Sequence, residues 1–283
     1  MLIFGGFINL KKYDLHTHTI YSDGELDVAG NVKYAYNLGL DGIAITDHDN
    51  IDSWREIDSN KYLIDVIKGV EITSYYKGDV VHLLGYYKNS GDYSELEKFL
   101  ENVRCQRVER VKLMIEKLSD HGISITLDDV LKEANSTIAR PHIAQAIIKK
   151  YPERGYTNNY LFKHYLGDDA PCFVPVNKNS TIDMIELLKR NNCLVVLAHP
   201  LSLIKNDYLN VISLGIDGVE CFYKYHFRVK RDVYQEVKDL RKVITGGSDF
   251  HGPLFRNNMG SVYLEDRMVN DFLISINREV NNG

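Results

Sequence analysis

Apolar positions in this chain follow two periods, and where one gives way to the other marks out its elements. Residues 13–16 alternate as a strand, 25–38 carry Val28, Val32, Ala35 and Leu38 at helical spacing and stop at Gly39, and 42–46 form a short apolar strand. A short helix over 51–59 is expected next. It leads to 63–74, rich in the β-branched Ile64, Val66, Ile67 and Val70, and to a further strand over 80–86. This is a βαβ rhythm.

After Lys88 the helical period takes over. Ser94 and Glu97 stand at capping-box spacing ahead of Leu96, Phe99, Leu100, Val103, Val111, Met114, Ile115 and Leu118, which predicts one helix to about Ser119. Gly122 breaks it, 123–126 is an extended link, and 127–134 reads as a helix with Asp128 and Asp129 in its first turn. Arg140-Pro141-His142 opens another over 143–150, with proline where its missing N–H costs little, and 156–175 is aromatic and irregular. From Asn177 the βα alternation returns. Ser180 caps a helix with Met184, Ile185, Leu187 and Leu188, 193–198 is an apolar strand ending in His199-Pro200, and strands 217–222 and 243–247 flank a Lys/Arg-rich helix over 226–240. A strand at 262–264 and a helix at 268–276 follow. The expected organisation is an α/β domain from residues 1–88 and 177–283, with 89–176 as a mainly helical insertion that lids the site.

Composition narrows the class. A chain of 283 residues, 44% hydrophobic and 26% charged, suits a soluble globular protein with one large core or two modest ones. The formal charge of −5 argues against a broad basic surface for long nucleic acid, so any anion site must be local. Cys105, Cys172, Cys193 and Cys221 are scattered without a Cys-x-x-Cys pair, which points to a reducing compartment. The apolar run 1–10 precedes its lysines, Lys11 and Lys12, the reverse of a secretory signal, and no apolar run reaches membrane-spanning length. A cytoplasmic protein is expected.

Against that ordinary background the histidines and carboxylates stand out. His16 and His18 lie two apart at a strand end, so both rings would face one side, and Ser22-Asp23-Gly24 reads as a tight turn. His48 closes Thr46-Asp47-His48-Asp49, Glu71 and His82 fall in strands, His199 follows one, and Asp249 and His251 repeat the two-apart spacing. Each alone is equally a polar residue on a strand's outer face. Together, nine such residues at strand ends would converge on the carboxyl-terminal mouth of an α/β barrel. Nine ligands exceed one four-coordinate zinc and suit two or three ions sharing bridging carboxylates. The imidazole-rich set fits manganese, iron or zinc better than magnesium or calcium.

With His16-Thr17-His18, Ser22-Asp23-Gly24, Thr46-Asp47-His48-Asp49, Gly69-Val70-Glu71, His82, His199-Pro200 and Ser248-Asp249-Phe250-His251 on view, the chain resembles the PHP family, named for polymerase and histidinol phosphatase. The helical insertion with Arg104, Arg107 and Arg140-Pro141-His142 is similar to the branch of nucleotide phosphatases and short-RNA 5′ exonucleases. The resemblance implies a distorted seven-stranded, TIM-like (βα) barrel with three divalent ions in its mouth. It implies one ion on His16, His18, Glu71 and Asp249, a second on Glu71, His82 and His199, and a third on Asp23, His48 and His251. Asp23 stands where other branches carry histidine, which leaves the metal preference open. Three such ions with three carboxylates would leave a net charge of roughly +3, suited to an anionic phosphate and to a bridging water of lowered pKa. The implied function is a metal-dependent phosphoesterase hydrolysing phosphate monoesters of nucleotides, AMP or a nucleoside 3′,5′-bisphosphate, by metal-hydroxide attack, extending to 5′-3′ exonuclease action on short RNA. A histidinol-phosphate phosphatase and a non-catalytic metal-binding module are the alternatives.

Substrate contacts are read from the insertion. Arg104, Arg107 and Arg110 recur every third residue, either as a phosphate clamp or as a solvated face balanced by Glu101, Glu109 and Glu116; the resemblance favours Arg104 and Arg107 as contacts. Arg140 at a helix start either grips phosphate or lies on the surface, and His142 either contacts substrate, donates a proton or caps its neighbours. His121 reads as a helix-end residue, and His164 and His226 as surface or packing residues. Trp54, Tyr151, Tyr156, Tyr160 and Tyr165 read as packing.

Overall fold

A computed structural model describes residues 11–58, 61–134, 137–167, 170–175, 178–224, 232–254 and 258–278. The run 1–10, Asn177 at the expected domain boundary, His226 and the start of its helix lie outside the described residues. Among the described residues, eight strands form one sheet in the order β7-β6-β5-β4-β3-β2-β1-β8: β1 (Lys12–Thr17), β2 (Gly42–Ile45), β3 (Asp65–Tyr76), β4 (Asp79–Tyr87), β5 (Cys193–Leu197), β6 (Gly218–Phe222), β7 (Val243–Gly246) and β8 (Leu264–Glu265). The seven-stranded expectation thus gains a two-residue eighth strand, antiparallel to β1 at Lys12 and Tyr13. Past the end of β7 the sheet meets β1 again. Thr17 bridges Phe250 in parallel, His18 N–H donates to the Phe250 carbonyl at 2.8 Å, and Phe250 N–H donates to that of His16 at 3.2 Å. The result is a nearly closed barrel.

The pairing β1–β2–β3 is parallel, as is β5–β6–β7, but β3, β4 and β5 pair antiparallel. The cause is the connection after Tyr76. Only Lys77 and Gly78 separate β3 from β4, both at positive φ (45° and 90°), and so short a link permits a hairpin and no crossover.

Inward faces of the strands divide by height. Tyr13, Leu15, Ala44, Ile67, Leu84, Tyr86, Leu194 and Val196 form one buried cluster with Leu264 and with Val269, Phe272 and Leu273 of a helix at 266–275. Each large apolar side chain there contributes about 1.5–3 kcal/mol relative to exposure. Two residues further toward the mouth on the same faces stand different chemistries: Thr46 then His48 beyond Ala44, Gly69 then Glu71 beyond Ile67, and His82 beside Leu84. The outer faces pack, in a second cluster, against helices α1 (Val28–Asn37), α6 (Thr181–Arg190), α7 (Tyr208–Ile212) and α8 (Val233–Asp239).

Helices α2 (Ser94–Asp120), α3 (Leu127–Leu131), α4 (Arg140–Lys150) and α5 (Asn158–Leu161, continued by a π-turn at Phe162–Leu166) lie between β4 and α6, and α9 (Asp266–Ser275) closes the chain. Leu96 and Leu100 of α2 belong to the outer barrel cluster, whereas Val111, Met114 and Leu118 join a third cluster with Ile123, Val130, Ile143, Ile147, Leu161 and Cys172. Helix α2 therefore belongs to both packing clusters, and Thr137 adds a contact to the Tyr21 carbonyl (3.4 Å).

Several local expectations change. The helix at 51–59 is a 3-10 turn over Asp52–Arg55, and α3 stops at Leu131. The Ser94–Glu97 capping box does not form: Asp92 takes both the N–H and the hydroxyl of Ser94 (3.0 and 2.7 Å), and Glu97 turns out to Arg55 (2.7 Å). Ser180 occupies the N-cap of α6 without a side-chain bond. The segment 156–175 contains α5 and the π-turn, and α7, unforeseen, is capped by Asp207 (2.9 Å to Leu209 N–H).

Candidate metal centre

The barrel mouth gathers the nine side chains, with Glu71 at their centre. Glu71, buried in β3, lies 2.8 Å from His82 Nδ1, 3.1 Å from His48 Nδ1, 3.2 Å from the Nε2 atoms of His16 and His199, and 3.3 Å from His18 Nε2. Five imidazoles thus face two oxygens. Asp249 stands 3.1 Å from His18 Nε2 and 3.4 Å from His16 Nε2; Asp23 lies 3.3 Å from His251 Nε2 and 3.9 Å from both His18 Nδ1 and His48 Nε2.

Backbone geometry sets these positions. The β1–β2 register shifts between Asp14 and Thr17, so Leu15 fills the barrel core while the adjacent His16 still reaches Glu71. His16 and His18 both turn to Glu71, as their two-apart spacing predicts, and the register shift lies between Asp14 and Thr17 beside them. His82 comes from near the start of β4, which reaches the mouth because that strand runs backwards. His199, Asp249 and the neighbouring Asp49 hold positive φ (28°, 55° and 46°), a conformation that non-glycine residues adopt at a cost of order 1–3 kcal/mol and that clusters at functional sites. Two glycines allow the close approaches. A Cβ on Gly24 would meet the His18 carbonyl oxygen at 2.5 Å, and one on Gly247 would meet His16 Cβ at 2.4 Å.

Buried carboxylates that sequence reasoning passed over fix the rings and loops. Glu220 takes His16 Nδ1 at 2.9 Å and His199 N–H at 2.8 Å, so His16 presents Nε2 to the centre. Asp47 accepts from Thr19 N–H (2.7 Å) and Ser22 hydroxyl (2.7 Å), pinning the loop that carries Asp23. Asp14 accepts from Ser248 N–H (2.9 Å), Ser248 hydroxyl (2.6 Å) and Gly260 N–H (2.9 Å), and burial pushes its carboxyl up to about 6. A carboxylate inside an apolar strand, as in Val219-Glu220-Cys221, was the available signal for the first of these.

The electrostatics suit cations. Burial opposes ionisation of Glu71, but His48, His16 and His82 outweigh it and hold the carboxyl well below its usual range. Asp249 and Asp23 are lowered in the same way, against burial, by neighbouring imidazoles. Burial, with His251 and His48 beside it, drives His18 down to about 4, leaving a neutral ring whose Nδ1 is buried without a hydrogen-bond partner. An orphaned imidazole nitrogen facing a carboxylate is what a metal ion would satisfy. Three overlapping donor sets each close to within 4.8 Å: His16, His18, Glu71 and Asp249; His48, Glu71 and His82; and His18, Asp23, His48 and His251. These residues fit divalent ions.

The helical segment faces this cluster. Arg107 is ion-paired to Asp49, and Arg104 bonds Asn50 (3.1 Å) and approaches Asp52 (3.5 Å), so both half-buried guanidinium groups turn to the barrel and not to Glu101, Glu109 or Glu116. Arg140 bonds the Leu166 carbonyl (3.1 Å) and lies over Phe162 and Phe173. His142 Nδ1 accepts from Ala139 N–H at 3.0 Å, which leaves the ring proton on Nε2; burial lowers its pKa while the charge of Asp23 acts the other way. His121 sits at the C-terminal cap of α2, bonded to the Lys117 carbonyl (2.9 Å), and His164 packs on Tyr160 (4.4 Å). Trp54 is buried and donates to the Gly69 carbonyl (2.7 Å). Among the described residues, no helix is long and apolar enough to cross a membrane.

Comparison with known proteins agrees with this geometry. The PHP domain model matches residues 14–260. A 5′-3′ exoribonuclease of Haemophilus influenzae is 28% identical over 256 residues, covering 86% of this chain and 91% of that protein. A phosphoribosyl 1,2-cyclic phosphate 1,2-diphosphodiesterase of Eggerthella lenta is 25% identical over 253 residues, covering 86% and 95%. Among solved structures, a Bifidobacterium adolescentis protein described as a proposed metal-dependent phosphoesterase superposes with a TM-score of 0.77 at 30% identity, over 93% of this chain and 96% of that one.

Proposed function

Because this chain belongs to the PHP domain family, we propose that it is a metal-dependent phosphoesterase that hydrolyses phosphate monoesters of nucleotides, AMP or a nucleoside 3′,5′-bisphosphate, and acts as a 5′-3′ exonuclease on short RNA. The observation that carries this reading is Glu71 ringed by five imidazoles within 3.3 Å, with Arg107 ion-paired to Asp49 next to His48. Its cofactor is a set of divalent ions. In this proposal there are three, of manganese, iron or zinc: one on His16, His18, Glu71 and Asp249, one on Glu71, His82 and His199 beside His48, and one on Asp23, His48 and His251 beside His18. Such ions supply Lewis-acid polarisation of a phosphoryl oxygen and water of lowered pKa.

The chain's own groups do the rest. Glu220 holds His16 Nε2 toward the centre, so that ring needs no reorientation as a phosphate enters. Residues 89–176 act as the lid, with Arg104 and Arg107 lining it from α2 and Arg140 from α4. His142, neutral and with its proton on Nε2, donates a hydrogen bond to the substrate or to the departing oxygen. Four free cysteines, three of them buried, accord with a reducing cytoplasmic setting.

The test is a panel of 5′-phosphorylated short RNA, adenosine 3′,5′-bisphosphate, AMP, a ribose 1,2-cyclic phosphate and histidinol phosphate, each read as kcat/KM with manganese-reconstituted protein. Preference for the 5′-phosphorylated nucleotides is expected. Preference for histidinol phosphate or the cyclic phosphate would replace the substrate reading, and no turnover of any of them would favour a non-catalytic module.

A further inference from the structure

The two elements that bring His82 and His199 to Glu71 are joined, outside the cluster, by one more carboxylate. Glu71 divides its oxygens: Oε1 faces His82 Nδ1 (2.8 Å) and His199 Nε2 (3.2 Å), while Oε2 faces His16, His18 and His48. The rings of His82 and His199 stand 5.1 Å apart, edge to face. Glu71 and His82 belong to the β3–β4 hairpin, but His199 lies past the last pairing of β5 with β4, where Ala198 N–H donates to the His82 carbonyl at 3.1 Å. There the ladder ends, and His199 leaves it at φ 28°.

Support for that ring comes from the turn that follows. Ser202 N–H donates to the His199 carbonyl (2.9 Å), and the Ser202 hydroxyl lies 3.0 Å from His199 Nδ1. A hydroxyl accepting there keeps the ring proton on Nδ1 and the lone pair on Nε2, toward Glu71. The start of the turn is tied to the end of β6, where the Tyr223 hydroxyl accepts from Leu201 N–H (2.9 Å). Its exit is tied to the hairpin. Asp79, the first residue of β4 and 5% exposed, accepts from three successive backbone N–H groups: Ile204 (3.1 Å), Lys205 (3.0 Å to each oxygen) and Asn206 (2.8 Å). The Asn206 side-chain amide also donates to Asp79 (2.8 Å) and reaches the Tyr76 and Lys77 carbonyls at 3.3 and 3.4 Å. A buried carboxylate is costly unless such donors satisfy it. Leu201 and Leu203 lean on the outer cluster, whereas Ile204 is 90% exposed, so from residue 204 on the bonds to Asp79 hold the chain.

Resting on the three-ion reading of the centre, we propose that Asp79 is a positioning residue for one of the ions, that on Glu71 Oε1, His82 and His199. By closing the hairpin onto the exit of the turn, it holds Ser202, and through Ser202 the Nε2 of His199, in place against the two ligands that the hairpin carries. The other two ions draw no ligand from this turn, so their affinities do not depend on Asp79.

The experiment counts manganese bound to the metal-stripped full chain over a series of buffered free-metal concentrations, by mass spectrometry, with thermal unfolding alongside. His82→Ala marks the ion in question, since it removes a ligand of that ion alone. Asp79→Ala should weaken the same ion about tenfold and leave the other two within about threefold. Added to His82→Ala, it should change neither remaining affinity. A role confined to stability would lower the unfolding temperature with all three affinities unchanged; that result, or equal losses in all three, would overturn the positioning role. If Asp79→Ala does not fold, Asn206→Ala, which keeps the three backbone contacts, should still weaken the marked ion selectively, and wild-type affinities in it would overturn the proposal. Wild-type protein holding fewer than three ions would sink the three-ion reading and leave Asp79 to be judged on the ion that His82→Ala removes. An unchanged ion count in His82→Ala would sink both.

Discussion

Glu220→Gln changes one atom and should weaken metal binding at a distance. Glu220 is buried, 1% exposed, with one oxygen at His16 Nδ1 (2.9 Å) and the other at His199 N–H (2.8 Å). Glutamine keeps one acceptor and brings an NH2 group. If that group faces His199 N–H, two buried donors oppose each other, at a cost of about 1–3 kcal/mol. If it faces His16, Nδ1 must accept and the ring proton moves to Nε2, the nitrogen 3.2 Å from Glu71, where a metal needs a lone pair. Either arrangement should cost about 10–100-fold in metal affinity, or about 1.4–2.7 kcal/mol. Competition with a chromophoric chelator at one pH reads that affinity, and circular dichroism of the metal-stripped variant shows whether the fold is intact. Affinity within about threefold of wild type, with the fold unchanged, would refute the positioning role of Glu220.

Other expectations follow from single contacts. Arg107→Ala leaves Asp49, whose side chain is 4% exposed, with Thr73 N–H (3.1 Å), and should destabilise the protein by about 1–3 kcal/mol in urea unfolding while raising KM for nucleotides; wild-type values for both would show the pair to be idle. Burial pushes the Cys193 thiol up to about 12 and raises Cys172 and Cys221, so a disulfide dye should titrate Cys105 alone in the native protein, and a second fast thiol would contradict the packing. In metal-stripped protein, His251 is raised to about 9 despite burial by its contact with Asp23, and His16 and His199 are raised as well. The folded state therefore holds protons that the unfolded chain releases near pH 6.5. His18, lowered to about 4, acts the other way but is one ring against three, so stability should fall from pH 6.5 toward pH 9, whereas metal-loaded protein, which uses neutral imidazoles, should not lose stability over that range. Thermal unfolding at both pH values checks the sign.

Much of this arrangement is legible in the sequence, and the remainder has definite physical reasons. Val28, Val32 and Ala35 mark α1 because a helix burying one face must repeat near 3.6 residues, and the apolar runs of β2 and β5 mark strands buried on both faces. The direction of β4 is hidden from periodicity, which reads the same forwards and backwards; only the two-residue Lys77-Gly78 link betrays it. β8 is too short to show any period. Ser94 and Glu97 have capping-box spacing, yet Asp92 and Arg55 bind them first, a competition that no local motif reveals. The nine clustered side chains are visible as strand-end histidines and carboxylates. Glu220, Asp14 and Asp47 escape notice because each supports a neighbour through contacts 25 to 234 positions away in the chain.

The most direct measurement is metal content against turnover in one titration: protein stripped with chelator, reloaded stepwise with manganese, and assayed at each step for bound ions by mass spectrometry and for hydrolysis of 5′-phosphorylated nucleotide, with Glu71→Ala alongside. Turnover that is absent in stripped protein, rises to a maximum at about three ions per chain, and fails together with metal binding in the variant is expected if Glu71 and the eight residues clustered with it are the catalytic centre. Full turnover in stripped protein, or wild-type turnover from Glu71→Ala, would contradict it.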